Sequence, residues 1–209
     1  MRFKNRKEAG KLLAEVLPDN VLENPLILAL PRGGVPLGLI IADYHNVLFD
    51  VILAKKIGHP HYPEFAIGAI AEGGEPILNP SVKNDADWLK KRVGEIQAEI
   101  DRRRQLYGQV LTKEEIEGKD VLIVDDGIAT GMTLFAAIEA VEKAGPKSIN
   151  VGVPVIPPET YNLLKKKVNQ IYYVYLPEVF AGSVGAYYDS FPQISDSSVQ
   201  EMLKTRNII

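Results

Sequence analysis

The sequence contains no cysteine. This excludes disulfides, thiolate metal centres and cysteine nucleophiles, and agrees with a reducing compartment. Histidine is scarce too: His59 and His61 flank prolines without a third partner at metal-ligand spacing, so no zinc site is expected. No apolar run approaches the roughly 18 residues that a membrane span needs. The opening "MRFKNRKEAGKLL" also lacks the apolar core of a signal peptide, which predicts a cytoplasmic protein with no membrane partner. Excess positive charge is missing as well. The formal net charge is -3, with neither a helix-turn-helix pattern nor a coherent basic face, which argues against a nucleic-acid partner.

What is present is ordinary for a folded chain: 209 residues, 46% hydrophobic and 24% charged, enough for one sizeable core. A single domain over 1–209 is the expectation. Ala9, Leu12, Leu13, Val16 and Leu17 recur at helical spacing behind Asn5 and Glu8, a capping-box pair, and Pro18 closes the helix. "LILAL" (26–30) then stops at "PRGG" and gives way to the helix-like "VPLGLIIADY". Strand, glycine turn and helix return at "DVILA", at "VLIV" before a helix from about Thr133 to Lys143, and at "SINVGVPVI" before Pro158–Lys167; "IYYVY" ends the series. Apolar strands alternating with helices predict an α/β fold, doubly wound around a mostly parallel sheet. Residues 66–111 interrupt the rhythm as an insertion, a glycine-turn hairpin followed by a long charged helix. Residues 177–209 form a tail with a short helix capped near Asp196 or Ser197.

In open parallel sheets, ligands bind beyond the carboxyl ends of the strands. "VLIVDDGIATGMT" puts Asp125 and Asp126 at such an end. Adjacent side chains on an extended strand point to different sides, so the pair is suited to two separate hydroxyls, or to ligand and a metal-bound water, rather than to one shared proton. Behind it, "GIATGMT" offers small residues, free N–H groups and the hydroxyls of Thr130 and Thr133 at a helix start, which together make a phosphate nest. Asp-Gly is also a common turn and Thr a common helix cap, so neither feature speaks alone. Their order does: carboxylates for hydroxyls, then a nest for phosphate, describe a sugar phosphate. No G-x-x-x-x-G-K-[ST] motif is present.

The thirteen positions of this stretch resemble the signature of the type I phosphoribosyltransferases. The resemblance implies that Asp125 and Asp126 contact the ribose hydroxyls of phosphoribosyl pyrophosphate (PRPP). It implies equally that Ala129, Thr130, Gly131, Met132 and Thr133 wrap the 5′-phosphate. "PRGG" falls at the family's pyrophosphate loop, often a cis peptide, which assigns Arg32, Gly33 and Gly34 to the leaving group. Ala129 stands where several purine-specific members carry an acid that serves as a base, and alanine cannot replace it. A less characterised branch of the family shares "EFAIGA" (Glu64, Gly68, Ala69), whose role is not derivable from the residues.

Lys55 and Lys56 in "AKKIG" read as the end of the next core strand, either as a solvated pair or with one of them neutralising a diphosphate. "RRR" at 102–104 reads as a solvated helix face or, if the insertion folds over the site, as a cover for pyrophosphate. Tyr187, Tyr188 and Phe191 read as packed tail aromatics or as a base-stacking surface. The expected reaction is transfer of the phosphoribosyl group to an unidentified nitrogen nucleophile. Mg²⁺ would be held by ligand and water with no direct protein ligand, and a homodimer is compatible with the sequence. Two other classes stay open: a PRPP-binding regulator without turnover, and a phospho-acceptor or phosphohydrolase using a carboxylate nucleophile.

Overall fold

The computed structural model describes residues 1–18, 23–63, 65–82 and 85–206. Glu64, singled out in "EFAIGA", lies outside them. Helix α1 (Arg6–Val16) starts where Asn5 accepts a hydrogen bond from the Glu8 N–H at 3.0 Å, while the Glu8 carboxylate accepts from the Lys4 N–H. That is a capping box displaced by one residue. Strand β1 (Pro25–Ala29) leads into α2 (Gly34–His45) and β2 (Leu48–Val51). Then come β3 (Ala54–Gly58), β4 (Ala66–Ala71), β5 (Ile77–Leu78) and the long α3 (Ala86–Gly108), capped by Asp85. The chain returns through β6 (Asp120–Val124), α4 (Met132–Lys143), β7 (Ser148–Val155), α5 (Pro158–Leu164) and β8 (Gln170–Tyr175). The tail carries a 3-10 turn at Val184–Tyr187 and ends in α6 (Asp196–Arg206).

The fold is α/β and doubly wound. Five parallel strands lie in the order β2-β1-β6-β7-β8, and β3-β4-β5 form a separate antiparallel sheet. Alternation along β6 shows why both faces are covered: Leu122 and Val124 enter the core built with α1, α2, α3 and α6, while Val121 and Ile123 enter the core built with α4 and α5. After β1 the chain winds toward β2, and after β6 it winds toward β7 and β8. The β1/β6 boundary is therefore the topological switch point, where a crevice opens beyond the strand ends.

One expectation changes here. "DVILAKKIG" reads as one core strand ending in lysines, but β2 stops at Val51, and Lys55 and Lys56 sit inside β3, paired antiparallel with Ile70 and Ala69 of β4. The insertion thus begins near Ala54 rather than at 66. Ala69 and Ala71 of β4 pack against Ala136 and Ala140 of α4, a contact that small side chains alone allow at this spacing.

Candidate functional site

Two loops meet at the switch point. After β1 the Pro31–Arg32 peptide is cis, as the resemblance implies, and α2 begins at Gly34. A Cβ on Gly33 would stand 2.0 Å from the Asp126 Oδ2, and one on Gly34 would stand 2.4 Å from the Val124 carbonyl oxygen. Glycine is needed at both places so that the two loops can touch, since Gly33 itself has an ordinary helical conformation.

The acidic pair follows β6. Arg6, at the start of α1, donates from Nε to the Asp126 Oδ2 at 2.8 Å, with both side chains only 13% exposed. Arg6 is itself fixed, donating to the Pro192 carbonyl at 2.7 Å and lying 3.7 Å over the Phe191 ring. The Tyr188 hydroxyl donates to the Asp126 carbonyl at 2.6 Å. Burial and then the charge of Asp126 push the Asp125 carboxyl well above the usual carboxylate range. Burial also raises Asp126, but Arg6 opposes that rise. Asp125 is therefore the weaker acid of the pair, and Arg6 favours the charged form of Asp126. This is tighter coupling than strand alternation implied, because the Asp126 N–H turns back onto the Asp125 Oδ1 at 2.8 Å.

The following loop is shaped by two glycines with positive φ. Gly127 (φ 150°) leaves room for Val184, and Gly131 (φ 76°) starts α4 without a side-chain cap. An uncapped start leaves the N–H groups of the first turn free for an anion at the positive end of the helix dipole. Ala129 and Thr130 are exposed, and Thr133 is half-buried in that turn, with Met132 packed beside the alanines of β4 and α4. Thr160 of α5 holds the loop from below, donating to the Ala129 carbonyl at 2.9 Å.

Cationic groups gather beside the Arg32 loop. Arg32 Nη1 lies 3.9 Å from the Asp196 Oδ1, and Arg103 Nε lies 3.5 Å from the same oxygen. Arg102 Nη2 is 3.3 Å from the other oxygen, and the Tyr107 hydroxyl donates to Oδ1 at 2.9 Å. Burial, opposed only in part by Arg103 and Arg32, raises the Tyr107 phenol. Burial works against the Asp196 carboxylate, but Tyr107, Arg103, Arg102 and Arg32 together hold its pKa below the ordinary value. Glu99 joins the cluster by binding both Arg103 and Lys55. Lys55 thus meets Glu99 of α3 from within β3 rather than standing at the end of a core strand. Lys55 and Lys56 both line a cavity of about 420 Å³ with His59, Trp88 and Arg92. Arg104 turns away from the site altogether, to Asp50, Glu72 and the Val51 carbonyl.

Tyr187 and Tyr188 are 5% and 2% exposed, so they are packed tail aromatics. The switch point brings Arg32, Gly33 and Gly34 against Asp125 and Asp126, with residues 129–133 on the same rim. Arg6, Thr160 and Asp196 carry no site signal in the sequence, because each acts on a partner distant in the chain, and Tyr188 meets the site through its hydroxyl on the Asp126 carbonyl.

A twin-loop crevice at the switch point of a doubly wound sheet, acidic pair on one side and arginine on the other, is where proteins of the open α/β class bind their ligands. Residues 4–189 match the phosphoribosyl transferase domain, and the chain belongs to that family. It is similar to Rv0571c of Mycobacterium tuberculosis H37Rv, provisionally named a phosphoribosyl transferase, with 32% identity over 96% of this chain. The chain spans 46% of that relative's length. The crystal structure of TT1426 from Thermus thermophilus superimposes with a TM-score of 0.83 at 39% identity, covering 98% of this chain and 99% of that one. Xanthine phosphoribosyltransferase 2 of Clostridium perfringens is 26% identical over 71% of this chain and 63% of its own length. Among the described residues no helix is long and apolar enough to cross a membrane.

Proposed function

We propose that this chain binds PRPP at the β1/β6 crevice and transfers its 5-phosphoribosyl group to a nitrogen nucleophile, releasing pyrophosphate. The observation that carries the reading is the contact of Gly33 with Asp126, which sets the leaving-group loop against the ribose carboxylates. The ribose hydroxyls donate to Asp125 and Asp126, and the first turn of α4 takes the 5′-phosphate. Fixing the sugar at two ends lowers the entropic part of the barrier. As the glycosidic bond breaks, positive charge grows on the ribose ring and negative charge on pyrophosphate. Arg32 stabilises the second, and the anionic Asp126 lies on the side of the first. Arg6, donating to Asp126, favours its charged form against the effect of burial. No covalent intermediate on the protein is needed.

The Asp125 carboxyl offers an oxygen to a metal-bound water, which suits Mg²⁺ held chiefly by the ligand's own phosphates. Bound there, the ion would neutralise charge on the departing pyrophosphate. Ala129 supplies no base beside the acceptor, so the acceptor is one that attacks without help at that position. The same alanine favours a second reading, a PRPP-binding regulator with no turnover. Calorimetry with PRPP and Mg²⁺, followed by pyrophosphate release over a panel of nucleobases, separates the two. Loss of about a hundredfold in PRPP affinity is expected for Asp125→Asn with Asp126→Asn, from the loss of two carboxyl acceptors. Absence of PRPP binding, or unchanged binding in that double variant, would overturn both readings.

A further inference from the structure

The cluster around Asp196 is more than a helix-start ion pair. Three guanidinium groups from two separate segments, Arg32 after β1 and Arg102 and Arg103 on α3, point at one carboxylate at 3.3–3.9 Å. Good charge-assisted hydrogen bonds are shorter, about 2.7–2.9 Å. Arg103 Nε is buried and finds no hydrogen-bond acceptor among the described residues. A buried guanidinium N–H left unmade is costly, so the carboxylate is too small for the space the arginines define. Charge points the same way: Arg32, Arg102, Arg103 and Lys55 face only Asp196 and Glu99 among the described residues. The excess is cationic, and it lies one residue from Gly33 and hence from Asp126.

We propose that Arg32, Arg102 and Arg103 form a single diphosphate-binding site, which Asp196 fills as an internal anion and which a diphosphate takes by displacing it. The inference rests on the reading of Arg32 as a pyrophosphate group and extends it to α3. Asp196 begins α6, whose own helix dipole favours a carboxylate there, so a purely structural role is the competing account. The two accounts differ in sign. An internal competitor weakens ligand binding, whereas a scaffold supports it.

The test is calorimetric binding of inorganic pyrophosphate with Mg²⁺, and of ribose 5-phosphate, to the full chain. Asp196→Asn keeps an acceptor for Tyr107 and is expected to tighten pyrophosphate binding about threefold to tenfold. Arg103→Gln is expected to weaken it about tenfold, the worth of one charge-assisted contact. Arg102→Gln, at a more exposed position, should weaken it by about threefold. None of the three should alter ribose 5-phosphate binding. Equal or weaker pyrophosphate binding by Asp196→Asn overturns the displacement. If that variant does not fold, unchanged binding by both arginine variants overturns the shared site. Arg32→Gln separates the layers: if it too leaves pyrophosphate binding intact, the underlying assignment of Arg32 has failed, and otherwise only the extension to α3 has.

Discussion

The proposed sugar-phosphate side of the rim comes from one stretch of chain, Asp125 to Thr133, whereas the cationic side draws on Arg32 and on Arg102 and Arg103, with Asp196 between them and Lys55 joined through Glu99. The first is held by backbone: positive-φ glycines, an uncapped helix start, and hydrogen bonds from Tyr188 and Thr160 to main-chain carbonyls. The second is held by side chains at long range. A site made of backbone keeps its shape when neighbours change, and a site made of long cations is adjustable. That suits the proposed reaction, in which ribose is placed while the departing diphosphate is followed.

The largest effect should come from an arginine that looks like part of the cationic side and is not. Arg104 bridges Asp50, which is buried, and Glu72. Arg104→Met leaves both carboxylates short of a partner and should cost about 3 kcal/mol of stability by urea denaturation. PRPP affinity of the folded fraction should not move. A large change in affinity would mean that the division between Arg103 and Arg104 is misplaced.

Next comes a change that should break the backbone side alone. At Gly131, φ is 76° and a Cβ would meet the Thr160 methyl at 3.0 Å and the Phe135 ring at 3.2 Å. Gly131→Val should lower ribose 5-phosphate affinity about a hundredfold, by tilting the first turn of α4 away from the phosphate. Pyrophosphate binding should persist. Parallel loss of both ligands would show the two sides to be one unit.

The smallest effect concerns the acidic pair. Asp125 has a raised pKa in the fold, so its stability contribution is intact at acid pH and is lost as pH climbs through the raised value. Asp125→Asn removes that loss and should stabilise the chain by about 1 kcal/mol at pH 8, with less gain at pH 4. Equal gains at both, or destabilisation, would contradict the burial argument.

The same contrast explains what the sequence disclosed. Periodicity and turn chemistry are local, so the order of strands and helices is legible, as is the contiguous stretch from Val121 to Thr133. The split of "DVILAKKIG" is not, because nothing local tells a strand which sheet it will join. Arg6 reads only as part of a helix start, since its partner Asp126 lies 120 positions on. Asp196 reads as a cap, and its second set of contacts exists only once α3 and α6 cross. The triplet 102–104 shows the limit: three identical neighbours on one helix divide between a carboxylate beside the crevice and a structural network behind it.

Gly33 and Asp126 share one volume, since the carboxylate occupies the space a β-carbon would need. Neither position can be chosen independently of the other. In a library randomised at both, survivors should be correlated, with glycine at 33 whenever 126 is acidic and larger residues at 33 only where 126 has become small. Such a linked pair is a two-letter signature, readable from selection data without any structure, for chains in which the leaving-group loop and the ribose carboxylates are in contact.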